Sequence, residues 1–233
     1  MSEAISSLAG LSEHLVQLVE KSAAGVVAVK GAAYRSSSGV AIGPDLVVTT
    51  DHTLKRTDRV PIVLAGGEQA NASIVGRDGS LDVALLRVDG QGLKPLTEAD
   101  PQRLRTGVLA TVVGMTADVG ATASIGIFGA VGESRRVWRG GTLDRFLRLD
   151  VNLYPSQSGA AVVNADGQLV GVATPALLRY SAVAVPVATL RRVAEELVKE
   201  GRIRRGYLGV GIQTVAVPVS LRESAAVSQE KAL

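Results

Sequence analysis

Asp150-Val-Asn-Leu-Tyr-Pro-Ser-Gln-Ser-Gly-Ala-Ala-Val-Val163 sets the pattern of the chain. Strand-like runs at 145–151, 160–163 and 168–173 flank a turn holding Pro155, Ser158 and Gly159, so Ser158 stands at the tip of a tight connection between two apolar strands. An accessible serine of this kind is how a nucleophile is displayed, but Ser-Gly turns also punctuate hairpins with no chemistry. Outward from this stretch the same texture repeats.

On the N-terminal side, short runs of period two lie at 26–30, 39–42, 46–50, 59–65, 70–75 and 83–88, separated by Gly, Pro and Asp turns such as Gly43-Pro-Asp45. Six short antiparallel strands close into a small barrel, which removes exposed edges. Residues 91–106, with Pro95, Pro101 and several charges, break the pattern as a connection. Runs at 107–113, 121–131, 135–138, 145–151, 160–163, 168–173 and 181–185 predict a second barrel of the same size. The two halves echo one another where Ser38-Gly-Val-Ala-Ile resembles Ser158-Gly-Ala-Ala-Val.

Two helices frame the barrels. Leu11, Leu15, Leu18 and Val19 share a face, predicting a helix from Ser12, its cap, to Lys21, with His14 on the polar side. Leu190, Val193, Ala194 and Leu197 predict another between Pro186 and Gly201. The expected fold is therefore all-β: two six-stranded antiparallel barrels with short terminal helices. The expected organisation is an N-terminal helical segment at 1–22, a first barrel at 23–95, a linker at 96–106, a second barrel with its helix at 107–201, and 202–233 as a tail.

Composition excludes several chemistries. The 233-residue chain has no cysteine, so it has no disulfide and no thiol nucleophile, and with two histidines a His-based metal site is not expected. No cofactor is expected either. A net charge of +3, with aromatics at 3%, argues against a nucleic-acid surface. No run reaches the ~18 apolar residues of a membrane span. Residues 1–7 carry no export signature, so the expectation is a cytoplasmic chain if Met1 is the native start, and a periplasmic or other extracytoplasmic one if an export segment was removed.

A serine nucleophile needs a base within hydrogen-bond reach and a third group that orients it. His52, just past the run Leu46-Val-Val-Thr-Thr, and Asp82, just before Val83-Ala-Leu-Leu, are the candidates. Each also has a bland reading, His52 as a half-buried strand-end histidine and Asp78 or Asp82 as a turn former. Their order along the chain is His, Asp, Ser, with the first two in one barrel and the third in the other.

These words together resemble the HtrA (DegP/DegQ) family of trypsin-like serine proteases. The matching stretches are Ser38-Gly-Val-Ala-Ile, Val47-Val-Thr-Thr-Asp-His52, Asp78-Gly-Ser-Leu-Asp82-Val-Ala-Leu-Leu, residues 150–159, Val183-Ala-Val-Pro186 and Arg205-Gly-Tyr-Leu-Gly-Val. The resemblance implies a chymotrypsin/trypsin-like fold and a serine endopeptidase acting on unfolded or exposed polypeptides in protein quality control. It implies His52 as base, Asp82 as its orienting carboxylate and Ser158 as nucleophile. The backbone N–H groups of Ser156 and Ser158 would form the oxyanion hole. Leu153 would line the pocket on the acyl side of the scissile bond, with Val183 and Ala184 as its other wall and β-addition of substrate to that strand. It also implies a homo-trimer formed with help from the N-terminal segment, and the start of a truncated PDZ domain at 202–233. Where the family reads Gly-Asn-Ser-Gly-Gly, this chain reads Ser156-Gln-Ser158-Gly-Ala160, so the alternative is a catalytically impaired protease-like domain kept for peptide binding or chaperoning.

Overall fold

The computed structural model describes residues 2–32, 35–55, 59–90, 92–203, 215–216 and 231–232. Two units are present, 1–203 and 204–233. In the second, Val215–Ala216 and Lys231–Ala232 pair as a short antiparallel ribbon, while the strand expected at 205–213 lies outside the described residues.

The first unit begins with α1 (Ser2–Ala23) and then runs through β1 (Val26–Ala32), β2 (Arg35–Ala41), β3 (Leu46–Thr49), β4 (Arg59–Val63), β5 (Gln69–Asp78) and β6 (Val83–Val88). These close into an antiparallel barrel in the order β1-β2-β3-β6-β5-β4. After the connection come β7 (Leu109–Thr116), β8 (Gly120–Gly132), β9 (Arg135–Arg136), β10 (Thr142–Leu143), β11 (Phe146–Asp150), β12 (Ala161–Val163), β13 (Leu169–Thr174), β14 (Val183–Pro186) and α2 (Val187–Glu200). The second barrel closes in the order β11-β14-β13-β12-β7-β8.

The apolar runs are continuous because many strands are covered on both faces. In β1, Val27 and Val29 point into the first barrel, while Val26 and Ala28 join a core that also holds Val113, Ala161, Val163 and Val172 of the second. The same division runs along β6, with Ala84 and Leu86 inside the barrel and Val83 and Leu85 in the shared core. Side chains alternate across a strand, so burying both faces removes the polar alternation of a half-exposed sheet. The shared core fixes the two barrels against one another, and α2 caps it with Leu190, Val193, Ala194 and Leu197. Gly201 ends α2 with φ 69°, its N–H on the Leu197 carbonyl.

Two expectations need correction. The helix expected from Ser12 starts at Ser2, and Ser12 lies inside it. Residues 2–11 are mostly Ala, Ser, Leu and Glu, and one interior glycine, Gly10, costs about 1 kcal/mol against alanine, too little to stop a helix. The run at 135–138 is not a barrel strand. Arg135–Arg136 pairs with Thr142–Leu143, a strand too short to carry a periodic signal, as a separate ribbon.

Candidate active site

His52 leaves β3 on a single 3-10 turn, Asp51–Thr53, and Asp82 sits at the entry of β6. The two segments are tied by main chain: Asp51 N–H donates to the Asp82 carbonyl at 3.2 Å, and His52 N–H to Asp82 Oδ1 at 2.9 Å. This geometry needs an unusual backbone, since Asp82 has φ 56°, the only positive value among the described non-glycine residues. Aspartate tolerates the left-handed region better than most side chains, and backbone outliers of this kind cluster at functional sites.

His52 Nδ1 lies 2.8 Å from Asp82 Oδ2 and 3.0 Å from Oδ1. An ionised carboxylate only accepts, so Nδ1 carries the proton and the free electron pair is on Nε2. The imidazole is 35% exposed and the carboxylate 1%, which leaves the ring facing the cleft and its partner sealed behind it. Asp78 takes the bland role: its Oδ1 accepts Ser80 N–H at 3.0 Å and the Ser80 hydroxyl at 2.7 Å, forming a turn.

Thr174, at the end of β13, also donates its hydroxyl to Asp82 Oδ2. The carboxylate thus receives an imidazole N–H, a backbone N–H and a hydroxyl, which accounts for a charge buried at the barrel interface. The sequence reading missed Thr174. It closes an apolar strand, and its polar partner lies in the other barrel.

Ser158 follows a second 3-10 turn, Pro155–Gln157. With His52, Thr53, Leu153, Tyr154 and Pro175 it lines a cleft of about 430 Å³, so the three residues of the His, Asp, Ser order are gathered at one place. Among the described residues no hydrogen bond joins the Ser158 hydroxyl to His52. Gly159 has φ 84°, and a Cβ there would stand 2.1 Å from the Ser38 carbonyl, so glycine is required by both conformation and space.

The N–H groups assigned to the oxyanion hole are arranged differently from one another. Ser158 N–H donates to the Pro155 carbonyl at 3.2 Å, inside the turn. Ser156 lies in that turn with a negative φ. Gln157, fully buried, braces the turn by accepting Tyr154 N–H at 3.1 Å and the Ser124 hydroxyl at 3.0 Å through Oε1.

Leu153 lines this cleft and a neighbouring cavity of about 330 Å³, which it shares with Pro175, Leu149, Leu178 and Ala182. Val183 and Ala184 do not form its wall. Both are 0% exposed, Val183 in the shared core and Ala184 inside the second barrel. Nor is β14 open to an added strand, because it pairs with β11 on one side and β13 on the other. The opposite wall is instead the segment just after β13, beginning at Pro175.

Residues 37–172 match the trypsin-like peptidase domain. The chain belongs to the trypsin-like peptidase family. It is 32% identical over 181 residues to the periplasmic pH-dependent serine endoprotease DegQ of Escherichia coli, covering 74% of this chain and 39% of that protein. It is 28% identical over 185 residues to a probable periplasmic serine endoprotease DegP-like of Chlamydia pneumoniae, covering 76% and 37%. The chain therefore spans well under half the length of these relatives. The crystal structure of the serine endoprotease from Yersinia pestis superposes with a TM-score of 0.70 at 26% identity, over 84% of this chain and 70% of that one. The crystal structure of Deg5, at TM-score 0.68 and 24% identity over 82% and 97%, shares the fold.

Proposed function

We propose that this chain is the peptidase domain of a serine endopeptidase in which Ser158 is the nucleophile, His52 the general base and Asp82 the carboxylate that orients it. The observation that carries this reading is the buried Asp82 carboxylate on His52 Nδ1, which leaves Nε2 as a base at the mouth of the cleft that Ser158 lines. Ser158 Oγ attacks the peptide carbonyl carbon as its proton passes to Nε2. The tetrahedral intermediate collapses as that proton goes to the leaving amine, and water repeats the sequence on the acyl-enzyme.

The resting turn keeps the oxyanion hole closed, with the Pro155 carbonyl where the oxyanion would bind Ser158 N–H. Opening it breaks one hydrogen bond, about 0.5–1.5 kcal/mol net. Rotating the Pro155–Ser156 peptide also takes Ser156 towards positive φ, about 1–3 kcal/mol for a residue that is not glycine. A single oxyanion donor is worth about 2.7–4 kcal/mol in the transition state, and opening supplies two. The gain exceeds the cost, so the hole opens as negative charge develops on the carbonyl oxygen of the attacked peptide. The cavity beside Leu153 has an apolar side of Leu149, Val151, Leu178 and Ala182 and a polar side with Asp150, Arg179 and Tyr180; the apolar side is the basis for proposing a small or medium aliphatic residue on the acyl side. Following the periplasmic relatives, the proposed setting is extracytoplasmic; from the sequence resemblance we further propose unfolded polypeptides in protein quality control as substrates and a trimer as the assembly.

A second reading, peptide binding without turnover, is favoured by one observation: serine at position 156 in the family's glycine place, with the hole closed. Labelling by a fluorophosphonate separates the two. The expected result is labelling in the parent chain, none in Ser158→Ala, and faster labelling in Ser156→Gly. A folded parent and a folded Ser156→Gly that both stay unlabelled would leave only the second reading.

A further inference from the structure

On the face of the nucleophile turn that meets the first barrel stands Ser38 of β2. Ser38 N–H donates to the Ser158 carbonyl at 2.9 Å. Its hydroxyl donates to the Ser156 carbonyl at 2.8 Å and accepts Met115 N–H of β7 at 2.9 Å. The Ser38 carbonyl in turn accepts the Thr49 hydroxyl at 2.6 Å. Ser38 is fully buried, and its hydroxyl has a single proton. Met115 N–H can only donate to it, so that proton belongs to the Ser156 carbonyl, the Met115 carbonyl at 3.4 Å being the longer alternative.

We infer that Ser38 is a positioning residue that confines opening of the oxyanion hole to the single Pro155–Ser156 peptide. The carbonyls of Ser156 and Ser158 are both anchored to Ser38. Among the described residues, the Pro155 carbonyl is held within the turn, by Ser158 N–H. Rotating the Pro155–Ser156 peptide moves that carbonyl out and brings Ser156 N–H in, while both anchored carbonyls stay in place. If the Ser156–Gln157 peptide rotated as well, the buried Ser38 hydroxyl would exchange its 2.8 Å acceptor for the Met115 carbonyl at 3.4 Å, and the Ser156 carbonyl would lose its Ser38 donor, a costly loss for buried polar groups. Ser38 stands on the same barrel as His52, so the clamp also holds the nucleophile in register with its base across the barrel interface. It touches no substrate and acts only through the main chain.

This inference rests on Ser158 being the nucleophile, and the test separates the two. Ser38→Ala in the full chain is compared with the parent for fluorophosphonate labelling, for kcat and KM on a peptide ester, and for amide exchange. Labelling and kcat are expected to fall about tenfold with KM within about twofold. The Ser158 and Met115 amides are expected to exchange faster while those of β12 and β13 keep their protection. Ser156→Gly eases the rotation that Ser38 confines, so its gain is expected to shrink in the Ser38→Ala background, a non-multiplicative cycle. Labelling within about twofold of the parent, a fall carried by KM, multiplicative effects, or protection lost evenly through β12 and β13 would each overturn the inference. If Ser38→Ala does not fold, Ser38→Cys, a weak donor of similar size, replaces it with the same expected split. A folded parent and a folded Ser156→Gly that both never label sink the proposed function, and the exchange comparison still decides the role of Ser38.

Discussion

Asp82 is the residue on which the proposed chemistry turns, because three donors converge on a carboxylate that is 1% exposed. Asp82→Asn keeps the shape but replaces one acceptor oxygen with a donor, favouring the wrong imidazole tautomer. Labelling is expected to drop by about four orders of magnitude while the fold persists. Thr174→Val removes one hydroxyl and leaves the imidazole contact, so the expected effect is smaller, about tenfold on kcat with KM unchanged. Equal losses in the two variants would contradict that ranking.

Among the elements, the barrel strands were readable in the sequence because burial on both faces makes them long apolar runs between turn residues. α2 was readable because its buried residues recur at helical spacing on a single face. Leu197, fully buried, is expected to cost about 2–5 kcal/mol when cut to alanine, and Val198, half exposed on the same helix, close to nothing, as chemical denaturation would show. The start of α1 was misread, since Ser12 has a capping side chain and yet lies inside the helix. The β9–β10 ribbon was missed because two residues per strand hold no period.

For the molecule as a whole, the upper part of α1 remains open. Leu18 packs into the shared core, but Leu8 and Leu11 are 67% and 50% exposed. No helix among the described residues is long and apolar enough to cross a membrane. If α1 contributes to the proposed trimer, Leu8→Ser with Leu11→Ser is expected to convert trimer to monomer in sedimentation, with the fold retained. A trimer that survives the pair of substitutions would place the interface elsewhere.

The sequence alone determined the two barrels and the His, Asp, Ser order. Both follow from local information: alternation, turn residues and short words around each candidate. Tertiary structure decided everything that depends on two distant segments meeting. It put Thr174 on Asp82, buried Val183 and Ala184 away from the cleft, and closed the Pro155 carbonyl over Ser158 N–H. A hydrogen bond or a shared wall between barrels has no period along the chain, and whether an apolar residue lines a cleft or a core depends on which strands flank it.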